Sequence, residues 1–204
     1  MLKRRSTMAK LKILLVPLYH TFTQEQFRPY CLNYLNSDGE LASTRYTYNR
    51  KGQNDRSHYQ QISGRRSSVN KQTFDKEGRL VRKDRVYNDG ESSMETFFYD
   101  EGGRLVDEKF ENNKGVQGSA RYEYDDSGNA VRMVCEGYKG WFHGIIEFEF
   151  DSHNRRKAGT ILKDGQPAGS ILYEYDSNSN LVHEHWEIGS WTQTLRYAYE
   201  DLTD

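Results

Sequence analysis

An aromatic residue followed by Asp, Asn or Glu recurs at Tyr48, Phe74, Tyr99, Tyr124, Phe150, Tyr175 and Tyr199, at intervals of 24 to 26 residues. A second series, half a period away, runs through Gly39, Gly64, Gly90, Gly115, Gly140, Gly165 and Gly189 at intervals of 24 to 26. Two interlocked series of this regularity define seven units that fill the chain from about Leu32 onward. A unit of about 25 residues cannot bury its own apolar face, so the fold must come from joining unit to unit.

Each unit holds two turns and two strand-length stretches. The first turn follows the aromatic anchor, as in Tyr99-Asp100-Glu101-Gly102-Gly103 and Tyr124-Asp125-Asp126-Ser127-Gly128. An Asp or Asn there bonds backbone two residues on, and Gly52, Gly78, Gly103 and Gly128 supply positive φ. Asn154 and Ser179 take that place in two later units. The second turn reads Asn88-Asp89-Gly90 or Lys163-Asp164-Gly165, which is hairpin chemistry. Between the turns the pattern has period two. Thr44/Tyr46/Tyr48, Ala120/Tyr122/Tyr124, Ile146/Phe148/Phe150, Ile171/Tyr173/Tyr175 and Leu195/Tyr197/Tyr199 form one face, with Arg45, Arg121, Glu123, Glu147 and Glu149 on the other. The returning strand places apolar residues seven and eleven positions after the anchor, as in Val106 and Phe110, Val131 and Cys135, Val182 and Trp186. This predicts an all-β antiparallel meander of about fourteen strands, two per unit, in one domain over residues 25–204. Laid flat at roughly 4.8 Å per strand it would span about 65 Å. With no helix to cover its aromatic face, such a sheet is expected to curl, close or pack on a second copy.

Composition narrows the function classes. Aromatics make up 13% of the chain (Tyr 15, Phe 9, Trp 3), which excludes a disordered chain even though hydrophobic residues reach only 35%. A net charge of −1 from 29 basic and 30 acidic residues argues against a nucleic-acid binder, and no apolar run is long enough for a spanning helix. No glycine-rich phosphate loop occurs, and no cofactor is expected.

Phe97-Phe98-Tyr99-Asp100-Glu101-Gly102-Gly103-Arg104-Leu105 and Phe74-Asp75-Lys76-Glu77-Gly78-Arg79-Leu80 resemble the core motif of the YD-repeat (rearrangement hot spot) family, as do Tyr122-Glu123-Tyr124-Asp125 and Tyr173-Glu174-Tyr175-Asp176. The resemblance covers most of the chain. It implies a bacterial, secreted, periplasmic or surface protein linked to carbohydrate binding or to toxin-enclosing shells. One stretch, Gly137-Tyr138-Lys139-Gly140-Trp141-Phe142-His143-Gly144, is similar instead to a MORN-type repeat.

Residues 1–24 lie outside the repeat. Their basic start (Lys3, Arg4, Arg5, Lys10, Lys12) and apolar run Ile13-Leu14-Leu15-Val16 read either as a short export signal or as a first strand. Cys31 and Cys135 sit four units apart, about 40 Å in a linear meander at roughly 10 Å per unit, and are expected to be free thiols. His183 and His185 share one strand face about 7 Å apart and are weak metal candidates; no other metal ligand set stands out. Phe98, Tyr138, Trp141, Phe142 and Trp191 fall off the anchor rows or at turns, where exposed rings would stack on a sugar or anchor a protein. The sequence therefore points first to a non-enzymatic binding module for a glycan or protein. Self-association through sheet edges is the second reading, and an enzyme site in the last units, Trp141 to Trp191, the third.

Overall fold

The computed structural model describes residues 27–138 and 142–201, so residues 1–26, including the expected export signal, lie outside the described residues. Fourteen strands follow in order: β1 (Phe27–Asn36), β2 (Gly39–Tyr48), β3 (Asn54–Gln61), β4 (Ser67–Phe74), β5 (Leu80–Tyr87), β6 (Ser92–Tyr99), β7 (Leu105–Asn112), β8 (Gln117–Tyr124), β9 (Ala130–Tyr138), β10 (Phe142–Phe150), β11 (Arg156–Lys163), β12 (Gln166–Tyr175), β13 (Leu181–Ile188) and β14 (Trp191–Asp201). Each pairs antiparallel with its neighbours in sequence, and β1 pairs with β14 to close a barrel. Among the described residues, no helix is long and apolar enough to cross a membrane.

Both turn series hold. Gly64, Gly90, Gly115, Gly165 and Gly189 have φ between 57° and 82°, Gly39 has 111°, and Gly140 lies outside the described residues. At the anchor turns Asn154 (φ 57°) and Ser179 (φ 64°) take the left-handed conformation that glycine holds in the other units.

The returning strands differ from the period-two expectation. In each of the first six units the residue seven places after the anchor is an extra residue in the ladder. Phe98 pairs with Asp107 and Tyr99 with Leu105, leaving Val106 between them; Val131 and Val182 are skipped in the same way. This β-bulge reverses the parity, so the core positions lie six, nine and eleven places after the anchor. Leu105, Glu108 and Phe110 are buried, as are Leu181, Glu184 and Trp186, while Val106, Val131 and Val182 are only half-buried.

The motif at the anchor turns is a set of interlocks between successive units. Asp100 accepts the backbone N–H of Arg104 at 2.8 Å and its Nε at 2.7 Å, and Asp75–Arg79 and Asp151–Arg155 repeat the arrangement. Each arginine then lies over the next unit's tyrosine: Arg79 over Tyr99 at 5.0 Å, Arg104 over Tyr124 at 5.2 Å, Arg155 over Tyr175 at 4.6 Å. The tyrosine hydroxyl donates back to the preceding unit, Tyr99 to the Leu80 carbonyl (2.9 Å), Tyr124 to Leu105 (2.7 Å) and Tyr175 to Arg156 (2.9 Å). Burial above all pushes the Tyr99 and Tyr175 phenols up to about 12, so both remain donors at neutral pH.

Closure follows the same rule. Pro29 pairs with Tyr199 and Cys31 with Ala198, skipping Tyr30, and the Tyr48 hydroxyl donates to the Pro29 carbonyl. β1 is thus the returning strand that the last unit lacks, and it supplies Leu32 and Tyr34 to the core where other units supply Glu108 and Phe110. Both cysteines are free. The linear spacing behind that expectation does not apply in a closed barrel. Cys135 faces the core, and Cys31, bonded to Asn33, follows the bulge on the opposite face of the wall.

The inner face is packed. Ala42, Ala120 and Ile171 are 0% exposed, and one apolar cluster takes in side chains from β1 and β2 through β14. Its chemistry is uneven around the ring. From β8 to β12 the buried inward residues include Ala120, Tyr122, Met133, Cys135, Phe142, Ile146, Ile161, Ile171 and Tyr173. From β3 to β7 they include Ser57, Asn70, Lys83, Arg85, Glu95 and Glu108.

Candidate functional site

The outer wall is the exposed face of the same alternation. On β6 to β9 it carries a groove of about 520 Å³ lined by Met94, Thr96, Phe98, Lys109, Glu111, Gln117, Ser119 and Glu136, among others. Phe98 is 41% exposed because it lies one residue before the anchor, on the row that points away from the core. Lys109 Nζ stands 5.1 Å from its ring centroid. Hydroxyls, an amide and two carboxylates surround one aromatic ring, so the groove offers a flat apolar surface with both donors and acceptors in reach.

The other aromatic candidates fall elsewhere. Phe142, expected as an exposed binding ring, is 6% exposed and packs in the core, because β10 turns its first residue inward. Trp191 is half-buried against the core, with its indole nitrogen shielded from solvent. Trp141 and the Tyr138 side chain lie outside what is described. Among the described candidates, Phe98 is the one on an open face.

His183 and His185 do face the same side of β13, and the fold adds a third group. Glu174 sits opposite His183 on β12; its carboxylate lies 2.9 Å from His183 Nδ1 and 3.4 Å from His185 Nε2. His185 Nδ1 is 2.9 Å from the Thr194 hydroxyl on β14. Hydrogen bonding to His183 holds the Glu174 carboxyl below its ordinary range. The residue between the histidines, Glu184, points the other way. It is fully buried, accepts from the Tyr197 hydroxyl (2.9 Å) and Trp186 Nε1 (3.2 Å), and burial pushes it up to about 7.

Sequence reading did not find the buried charges. Ser57 accepts from Asn70 Nδ2 (2.8 Å), whose Oδ1 accepts from Arg85 Nε (2.6 Å), and Arg85 Nη1 reaches the Tyr87 hydroxyl (3.2 Å). Burial alone would lower the Arg85 guanidinium, but Tyr87 and Glu95 hold it above its ordinary value. Lys83 pairs directly opposite Glu95 in register. Two cations and two carboxylates thus share one sector of the interior. The signal lay in the repeat itself, since these residues hold positions that are apolar in other units.

Fold and surface together define a closed, core-filled β-barrel built from seven pseudo-equivalent units. The chain is similar in fold to a porin-like protein from Bacteroides uniformis, at 12% identity and a TM-score of 0.53, covering 86% of this chain and 97% of that one. Weaker likenesses are to the Tc holotoxin pore of Photorhabdus luminescens (13% identity, TM-score 0.31, 78% of this chain and 9% of that one) and to a TcdB2–TccC3–Cdc42 complex (12%, TM-score 0.31, 82% and 11%). No protein-family profile matches the chain, and no curated protein does.

Proposed function

We propose that this protein is a non-enzymatic binding module of the YD-repeat type that works in water outside the cytoplasm and takes a glycan on the outer wall of β6 to β9. The observation that carries the reading is the groove centred on exposed Phe98. A sugar ring lays its C–H face on the aromatic plane, while Thr96, Gln117, Ser119 and the Glu111 and Glu136 carboxylates exchange hydrogen bonds with its hydroxyls. The rest of the wall suits water. Arg45, Arg56, Lys71, Arg82, Lys109, Arg121, Glu123, Glu147, Glu149 and Arg196 are all exposed, where a lipid-facing barrel carries an apolar band. Closure also pairs β1 with β14, so self-association through strand edges has no free edge to use among the described strands.

Glycan-array binding of the wild type beside Phe98→Ala tests the reading. The variant should retain its thermal midpoint, because the ring is exposed, and lose binding at least tenfold. An array with no retained glycan, or equal binding by both proteins, would end the proposal.

A further inference from the structure

We propose that Glu174, His183 and His185 form a surface site for a divalent first-row transition ion of the Zn²⁺ type, independent of the groove on β6 to β9. The three ligand atoms, one carboxylate oxygen and two imidazole nitrogens, lie within 4.8 Å of one another, the one such group among the described residues. Ligand atoms on a tetrahedral zinc stand about 3.3 Å apart, given metal–ligand distances near 2.0 Å. His183 Nδ1 stands 2.9 Å from Glu174 Oε2 and His185 Nε2 3.4 Å from Glu174 Oε1, so each imidazole already lies at about that spacing from one oxygen of the carboxylate.

The backbone holds the set. Glu174 and His183 are cross-strand partners, and His185 follows two residues on, on the same outer face. The ring centroids of the two histidines are 5.6 Å apart. Thr194 engages His185 Nδ1, which leaves Nε2 aimed at Glu174; a hydrogen-bond acceptor behind an imidazole fixes its tautomer and ring orientation for metal binding. Nitrogen and carboxylate donors in this number suit Zn²⁺, Ni²⁺ or Cu²⁺ over Ca²⁺ or Mg²⁺, which take oxygen ligands. Three protein ligands on an exposed face leave the fourth position to water.

Calorimetric titration of metal-free protein with ZnCl₂ at neutral pH tests the site, with Co²⁺ absorption as a second readout of tetrahedral coordination. The wild type should bind one ion. Glu174→Gln, His183→Ala and His185→Ala should each weaken binding at least tenfold, and Thr194→Val less. Far-ultraviolet circular dichroism of each variant separates lost binding from lost fold. Wild-type binding no tighter than millimolar, or one-to-one binding that survives in a folded His183→Ala/His185→Ala variant, would overturn the proposal. MgCl₂ should give no heat at the same concentrations.

Discussion

The interior of the barrel between β3 and β7 and the interior between β8 and β12 share one backbone, one bulge and one turn pattern, yet among the described residues the first buries Lys83, Arg85, Glu95 and Glu108 and the second buries no charged side chain. At the position eleven residues after the anchor the first holds Arg85 and the second Ile161. Nine residues after it, Lys83 and Glu108 face Met133. The unit's geometry is therefore specified at its ends, by the tyrosine, aspartate and arginine interlocks, and not by the character of the middle rows. Those rows need only fill the space. Where they are polar, neighbours on adjacent strands complete one another, as Ser57, Asn70 and Arg85 do.

Removing one partner from the polar sector should produce the largest effect. Arg85→Met leaves Asn70 and Glu95 without their guanidinium, and losing one member of a buried charge pair costs about 3 to 5 kcal/mol. Urea denaturation beside Ile161→Val, which should cost about 0.5 to 1.5 kcal/mol at the same row, measures the contrast. Equal losses would erase the distinction between the sectors. Ile171→Ala, in the apolar sector and 0% exposed, should cost about 2 to 5 kcal/mol through the cavity it leaves.

Glu184 sharpens the comparison by pH. It sits beyond the polar sector, where burial outweighs the bonds from Tyr197 and Trp186 and the charge of half-buried Arg156, and its folded value of about 7 stands above its ordinary 4.5. The unfolded chain therefore releases this proton first, so stability should fall as pH rises from about 4.5 to about 7 and level off above. Glu184→Gln should remove that component when the two proteins are compared across the window. The smallest effect is expected at the barrel end, which both sectors share. Backbone and side-chain bonds from Arg104 hold the Asp100 carboxyl low, and those from Arg155 hold Asp151 at about 2. Their contribution is present above the ordinary carboxylate range near 4 and is lost as pH falls toward 2. Asp100→Asn and Asp151→Asn should give similar small drops in Tm at pH 6 that shrink in acid; unequal drops would mean that the sector behind each turn matters.

The contrast also explains what was legible in the sequence. Strand number, turn positions and antiparallel order followed from glycine and anchor spacing, because positive φ and hairpin chemistry are local. The alternating apolar face stood out in Ala120/Tyr122/Tyr124 and Ile171/Tyr173/Tyr175, but Asn70/Gln72/Phe74 and Glu95/Phe97/Tyr99 broke it. Those are the units of the polar sector. The bulge was hidden because valine at its extra position looks like core, as at Val106 and Val182. Among the candidate site residues, the exposure of Phe98 was legible because it departs from the anchor parity, and so was the shared face of the histidine pair. Glu174 was not, since only cross-strand register brings it to His183. Closure was also beyond reach, since a strand that completes a distant unit carries no local mark.

Closure by β1 and β14 sets the order of events as the chain leaves the ribosome. Every other strand pair joins neighbours in sequence, whereas Leu32 meets Tyr197 across 165 residues. β1 emerges well before β14, its ultimate partner, so one margin of the growing sheet stays unpaired until β14 has been made. During that interval the nascent protein exposes Leu32 and Tyr34 on an open strand, the form in which chains of this kind pair wrongly with one another. Pairing of β14 with β1 converts an adhesive curl into a barrel with no open strand edge among the described strands.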